Sequence, residues 1–64
     1  MRIDRVKLVA ELTRRDMTQQ KLAEKSGVSR ATINYIKSGK SCTDEIGMKI
    51  ANALQMSIEE LLEK

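Results

Sequence analysis

The sequence predicts an all-α fold of five short helices, and three observations carry that expectation. Proline is absent and glycine occurs only three times in 64 residues, so little interrupts a helix interior. Aliphatic residues recur at helical spacing, with a single tyrosine as the only aromatic. Residues suited to capping a helix N-terminus, such as Thr18, Ser29 and Ser57, open successive apolar segments.

The first helix is expected from about Asp4 to Arg15. Its apolar residues Val6, Leu8, Val9, Ala10 and Leu12 cover more than half of a helical wheel, which is wider than one core contact requires. That width implies either packing on two sides, which is the expectation here, or partial self-association. The second helix runs from Gln19 to Ser26 behind a Thr18 cap, with Leu22 and Ala23 facing inward. Gly27 ends it in the left-handed conformation that a β-carbon disfavours. Ser29 caps a third helix, Arg30 to about Lys37, which Gly39 terminates in the same manner.

Two helices joined by so short a turn cross steeply. Ala23 is small because the next helix passes close at that point, and Val28 plugs the corner. The fourth helix runs from Thr43 or Asp44 to about Gln55 with a stripe of Ile46, Ile50 and Leu54, flanked by Ala51 and Ala53. Gly47 inside it costs roughly 1 kcal/mol against alanine, and a close contact is the only reason the sequence offers for it. The fifth helix carries Ser57-Ile58-Glu59-Glu60, the spacing of a capping box, and Met56, Ile58, Leu61 and Leu62 as its apolar side.

Composition limits what such a chain does. It is read as one domain over residues 1–64, and a chain this short buries only ~60% of its unfolded surface, leaving little core for an enclosed active site. The single Cys42 has no internal partner and no histidine to complete a metal site, so a spectator thiol in a reducing cytosol is expected, with no metal and no cofactor. No run approaches ~20 apolar residues and no leader pattern opens the chain, which is expected to be soluble and cytoplasmic. Charge is unevenly divided. Residues 1–40 hold ten Lys or Arg against four Asp or Glu, +6, and residues 41–64 hold two against five, −3. One face is thereby suited to a polyanion.

Taking Ile33 and Ile36 as the direction of the core, Arg30, Ala31, Asn34 and Ser38 point outward, with Thr32 and Tyr35 on the flanks. This face carries no carboxylate and has the chemistry of base-edge reading. Arginine pairs with guanine O6 and N7, asparagine with adenine N6 and N7, and Ala or Thr methyls touch the thymine methyl. Gln19 and Gln20 at the start of the second helix, with Lys40 beyond the third, are placed for DNA phosphates. The hydroxyls of Ser29, Thr32 and Ser38 are assigned to the backbone as well. Arg14, Arg15 and Lys21 add positive charge nearby, although for the two arginines a solvated helix end is an equal reading.

The runs Met17-Thr18-Gln19-Gln20-Lys21-Leu22-Ala23, Gly27-Val28-Ser29-Arg30, Thr32-Ile33 with Ile36, and Gly39-Lys40 together resemble the helix-turn-helix domain of phage lambda-type repressors and Cro. Lys49-Ile50-Ala51, Ala53-Leu54 and Ser57-Ile58-Glu59-Glu60-Leu61-Leu62 extend the likeness, which spans about Leu8 to Leu62. The resemblance implies a compact five-helix domain that binds operator DNA, usually as a dimer on a two-fold site, with the third helix in the major groove. It further implies that Gln19 binds a phosphate and braces the start of that helix, that Arg30, Ala31 and Tyr35 read bases with Asn34 between them, and that Lys40 meets the backbone. Two departures stand out. Lys37 and Leu12 replace a glutamate and arginine pair common in the family, and Thr43 replaces a proline. A Lys37–Glu11 pair is the expected substitute.

The reading that results is a sequence-specific regulator of repressor type that binds double-stranded DNA. It is expected to act as a weak homodimer, because one short helix touches few base pairs. Met56 and Leu62 are the interface residues expected, unless they simply close the core against the first helix. The alternative is an antitoxin or other partner-binding module on the same fold, which exposed apolar residues on the first and fifth helices would favour. An enzyme is excluded by the absence of histidine, of a defensible carboxylate pair and of a glycine-rich phosphate loop.

Overall fold

The computed structural model describes residues 1–63; Lys64, the last residue of the expected domain, lies outside them. Five helices follow in order: α1 (Arg5–Arg14), α2 (Gln19–Ser26), α3 (Arg30–Lys37), α4 (Asp44–Leu54) and α5 (Ile58–Leu61). Four of the five starts have a side-chain cap. Asp4 accepts from the amides of Val6 and Lys7, Thr18 from Lys21, Ser29 from Thr32 and Thr43 from Ile46. Each bond satisfies an amide that the first turn leaves without a helical partner.

The expected capping box on α5 is not formed, since Ser57 makes no side-chain cap bond. The helix is four residues long, and its first turn closes instead through a backbone bond from the Glu60 amide to the Ser57 carbonyl (3.1 Å). That tighter closure is the usual device of a one-turn helix.

Gly27 adopts φ 75° at the end of α2 and Gly39 φ 97° after α3, as expected of both. No atom lies within 4 Å of a β-carbon built on Gly27, so glycine is required there by backbone conformation alone. Two further left-handed residues, Asp16 (φ 52°) and Gln55 (φ 56°), turn the chain after α1 and α4 without glycine. Gly47 has a different purpose. It is buried in α4, and a β-carbon there would overlap the Met1 sulfur, so its bare backbone makes room for the N-terminal side chain.

The core is aliphatic and draws on every helix: Leu8 and Leu12 from α1, Leu22 from α2, Ile33 and Ile36 from α3, Ile50, Ala51 and Leu54 from α4, and Leu61 from α5. Val28 fills the corner between α2 and α3, and Ala23 is half-buried beside it. Helix α2 packs on both α3 and α4, while α1 supports α3 and α5 rests on α4. Ile3 is fully buried ahead of α1 and forms an isolated antiparallel bridge with Leu62. The Asp4 amide donates to the Leu61 carbonyl (2.7 Å) and the Glu63 amide to the Arg2 carbonyl (3.1 Å), so the two ends of the chain clasp each other.

Helix α1 is not packed on two sides. Its buried stripe is Leu8, Glu11 and Leu12, while Val6 is 71% and Val9 43% exposed. The stripe follows the i, i+3, i+4 spacing of a single contact, and a glutamate rather than a valine completes it. No helix among the described residues is long and apolar enough to cross a membrane.

Candidate nucleic-acid interface

Helix α3 is anchored by Ile33 and Ile36, both fully buried, which turns Arg30, Ala31, Asn34, Tyr35 and Ser38 outward. Tyr35 is 57% exposed. Thr32 is half-buried at the edge of this face. No acidic residue occurs in α3. The base-reading set expected from the sequence is therefore gathered on one exposed surface.

Gln19, Gln20 and Lys40 flank that surface. Gln19 is half-buried at the first position of α2, Gln20 beside it is exposed, and Lys40 is exposed just past the left-handed Gly39. Thr18 takes the Lys21 amide (3.1 Å), so the two amides ahead of it are left for an outside acceptor, which a phosphate oxygen matches.

The hydroxyls are partly committed already. Ser29 accepts from the Thr32 amide (3.2 Å) and donates to Thr32 Oγ1 (2.9 Å), which leaves the Thr32 proton available to an acceptor outside. Ser38 donates to the Tyr35 carbonyl (2.6 Å), and only its lone pairs remain open.

One arrangement at this face was not foreseen. Lys37 Nζ donates to Gln19 Oε1 (2.9 Å), and Gln19 Nε2 donates to Asn34 Oδ1 (2.7 Å). The expected Lys37–Glu11 pair is absent. Glu11 is held instead at the end of its own helix, in a hydrogen-bonded ion pair with Arg15 and with Arg14 at 3.2 Å. The hydrogen bond from Arg15 lowers the Glu11 carboxyl from its ordinary range against the opposing effect of burial, and the nearby charges of Arg14 and Lys7 add to the lowering. Sequence spacing does bring Asn34 and Lys37 to neighbouring positions on α3, three residues apart. The third member, Gln19, comes from another helix and leaves no local signal.

Away from this face, Asp4, Lys7, Glu11, Arg14, Arg15, Gln55, Met56, Glu60 and Leu62 line an open groove of about 650 Å³. Arg14 and Arg15 both pair with Glu11 on the groove side. Met56 packs against the core, and Leu62 is half-buried at the bridge to Ile3. Cys42 is half-buried, and burial pushes its thiol above the ordinary value, which disfavours the reactive thiolate.

A family model described as helix-turn-helix matches residues 6–61 of the chain. No curated protein and no solved structure matches it.

Proposed function

The chain belongs to this helix-turn-helix family, of the Cro and lambda-repressor type, which binds DNA, and from that premise we propose that it is a transcriptional regulator, of repressor type, that reads a particular sequence of double-stranded DNA with α3 in the major groove. The observation that carries this reading is the exposed face of α3, where Arg30, Ala31, Asn34 and Tyr35 stand together with no carboxylate among them. Arg30 and Asn34 supply hydrogen bonds to base edges, and Ala31 and Tyr35 supply apolar contact. Gln19, Gln20, Ser29, Thr32, Ser38 and Lys40 hold the backbone on either side and set the register without specifying sequence. The protein acts as a weak homodimer on a two-fold site, with Met56 and Leu62 at the contact, because one eight-residue helix spans too few base pairs for useful specificity.

Selection from random duplex DNA at moderate salt, followed by sequencing, tests the proposal. An enriched inverted repeat with half-site centres about 10 base pairs apart is the expected result. A single half-site would remove the homodimer and keep the regulator. Weak binding with no enriched sequence would overturn the proposal and favour a second reading, a partner-binding module, for which the exposure of Val6 and Val9 on α1 is the specific observation.

A further inference from the structure

The chain of hydrogen bonds from Lys37 through Gln19 to Asn34 has a direction that chemistry imposes. An ammonium only donates, so the group of Gln19 that faces Lys37 Nζ at 2.9 Å is its carbonyl oxygen. With that end fixed, the Gln19 NH2 is the group left to face helix α3. An NH2 only donates, so the atom of Asn34 that meets it at 2.7 Å is Oδ1. The exposed group that Asn34 retains is therefore its own NH2. The cation at the start of the chain polarises both amides in the same sense.

We infer that Lys37 is a positioning residue that sets which base Asn34 reads. This inference rests on the proposal that α3 enters the major groove. An asparagine reads adenine by using oxygen and NH2 together, one accepting from N6 and the other donating to N7. Here the oxygen is turned back to Gln19, which takes one of its two lone pairs, so the group that the amide turns outward is the NH2. It then favours a base edge that accepts, guanine through O6 and N7 or thymine through O4, over adenine N6 or cytosine N4. Lys37 achieves this without touching DNA, from a half-buried position at the end of α3.

A carboxylate at position 37 would reverse every bond in the chain. It only accepts, so Gln19 would present its NH2 to residue 37 and its oxygen to the Asn34 NH2, turning the Asn34 oxygen outward. Guanine O6 and adenine N6 occupy the same place in the groove, as do thymine O4 and cytosine N4. The reversal therefore predicts a transition at one position of the bound sequence, G to A or T to C.

The test is the random-duplex selection run on the wild-type protein, Lys37→Glu and Lys37→Met, with each variant's fold checked by circular dichroism. The expected result is a wild-type motif with G or T at one position, its transition partner preferred about tenfold in Lys37→Glu, and that position relaxed without inversion in Lys37→Met. All other positions keep their base. A clear wild-type motif that Lys37→Glu leaves unaltered, or that both variants alter alike, overturns the role of Lys37 and leaves the DNA reading intact. Absence of any motif from the wild-type protein overturns the DNA reading and this inference with it. Side-chain amide exchange by NMR gives an independent measure without DNA. The Gln19 NH2 should exchange more slowly than the Asn34 NH2, and should speed up in Lys37→Met. Equal exchange of the two in the wild-type protein would overturn the direction assigned to the chain.

Discussion

Arg30 and Lys40 are both exposed cations beside the same face, yet they are suited to different tasks. Arg30 opens α3 and presents a rigid fork of donors that matches guanine. Lys40 follows the left-handed Gly39 and presents a single mobile charge. Replacing Arg30 with Ala should cost about 1–3 kcal/mol on the best site and relax the preference at one base pair. Lys40→Ala should weaken all sites alike and make the plot of log affinity against log salt shallower by about 0.9, the loss of one phosphate contact. Binding titrations over a salt series, on matched and mismatched duplexes, separate the two. An Arg30→Ala protein that kept its full sequence preference would show that this face was assigned wrongly. Most of the face was legible in the sequence, because Ile33 and Ile36 alone fix which side of a short helix is buried. Lys37 was not. Its partner Gln19 is 18 residues away, and the neighbouring charge of Glu11 offered a pairing that Arg14 and Arg15 had already taken.

At the scale of elements, the caps were the legible part. Thr18 and Ser29 bond the amides that their positions imply, and Gly27 takes the positive φ that its place after α2 requires. The Ser57 hydroxyl makes no such bond because the amide it would take in a capping box, that of Glu60, already donates to the Ser57 carbonyl. The buried face of α1 departs from its hydropathy for a different reason. Hydropathy counts Val9 as core and Glu11 as surface, whereas the carboxylate becomes tolerable at 8% residue exposure once the guanidiniums of Arg14 and of Arg15, just past the helix, pair with it. That pairing has a pH signature. The folded carboxyl lies below its ordinary value of 4.5, chiefly through the Arg15 hydrogen bond, so the unfolded chain binds a proton more readily. The contribution of Glu11 to stability is thus fully present above the unfolded value and is lost as pH falls through the folded one. Glu11→Gln should lower Tm at neutral pH, and the gap to wild type should narrow as pH falls below about 4.5. A gap that stayed constant down to strong acid would mean that the ion pairs contribute nothing and that the variant acts through packing.

Across the whole molecule the surface divides by charge, +6 over residues 1–40 against −3 over residues 41–64, with α3 in the basic part and α5 in the acidic one. A dimer joined through the acidic part keeps both recognition helices free, whereas contact through α1 places the partner near Arg5 and Lys37, which border Val6 and Val9. Leu62 is half-buried beside the backbone bonds that join the chain ends, so its replacement tests packing as well as contact. Affinities for a duplex with two half-sites and for one with a single half-site should therefore be compared in Leu62→Glu and Val9→Glu. Contact through α5 predicts that Leu62→Glu weakens binding to the double site, leaves the single site unchanged, and lowers Tm by only a few degrees. In a domain of this size about 1 kcal/mol corresponds to roughly 4–8 °C, so a fall well beyond ~10 °C with both duplexes affected alike would place Leu62 in the core alone. Val9 is 43% exposed and should tolerate Glu with little change in Tm. If Val9→Glu instead removed the advantage of the double site, the two copies would meet through α1, and the width of its apolar surface would be explained by self-association.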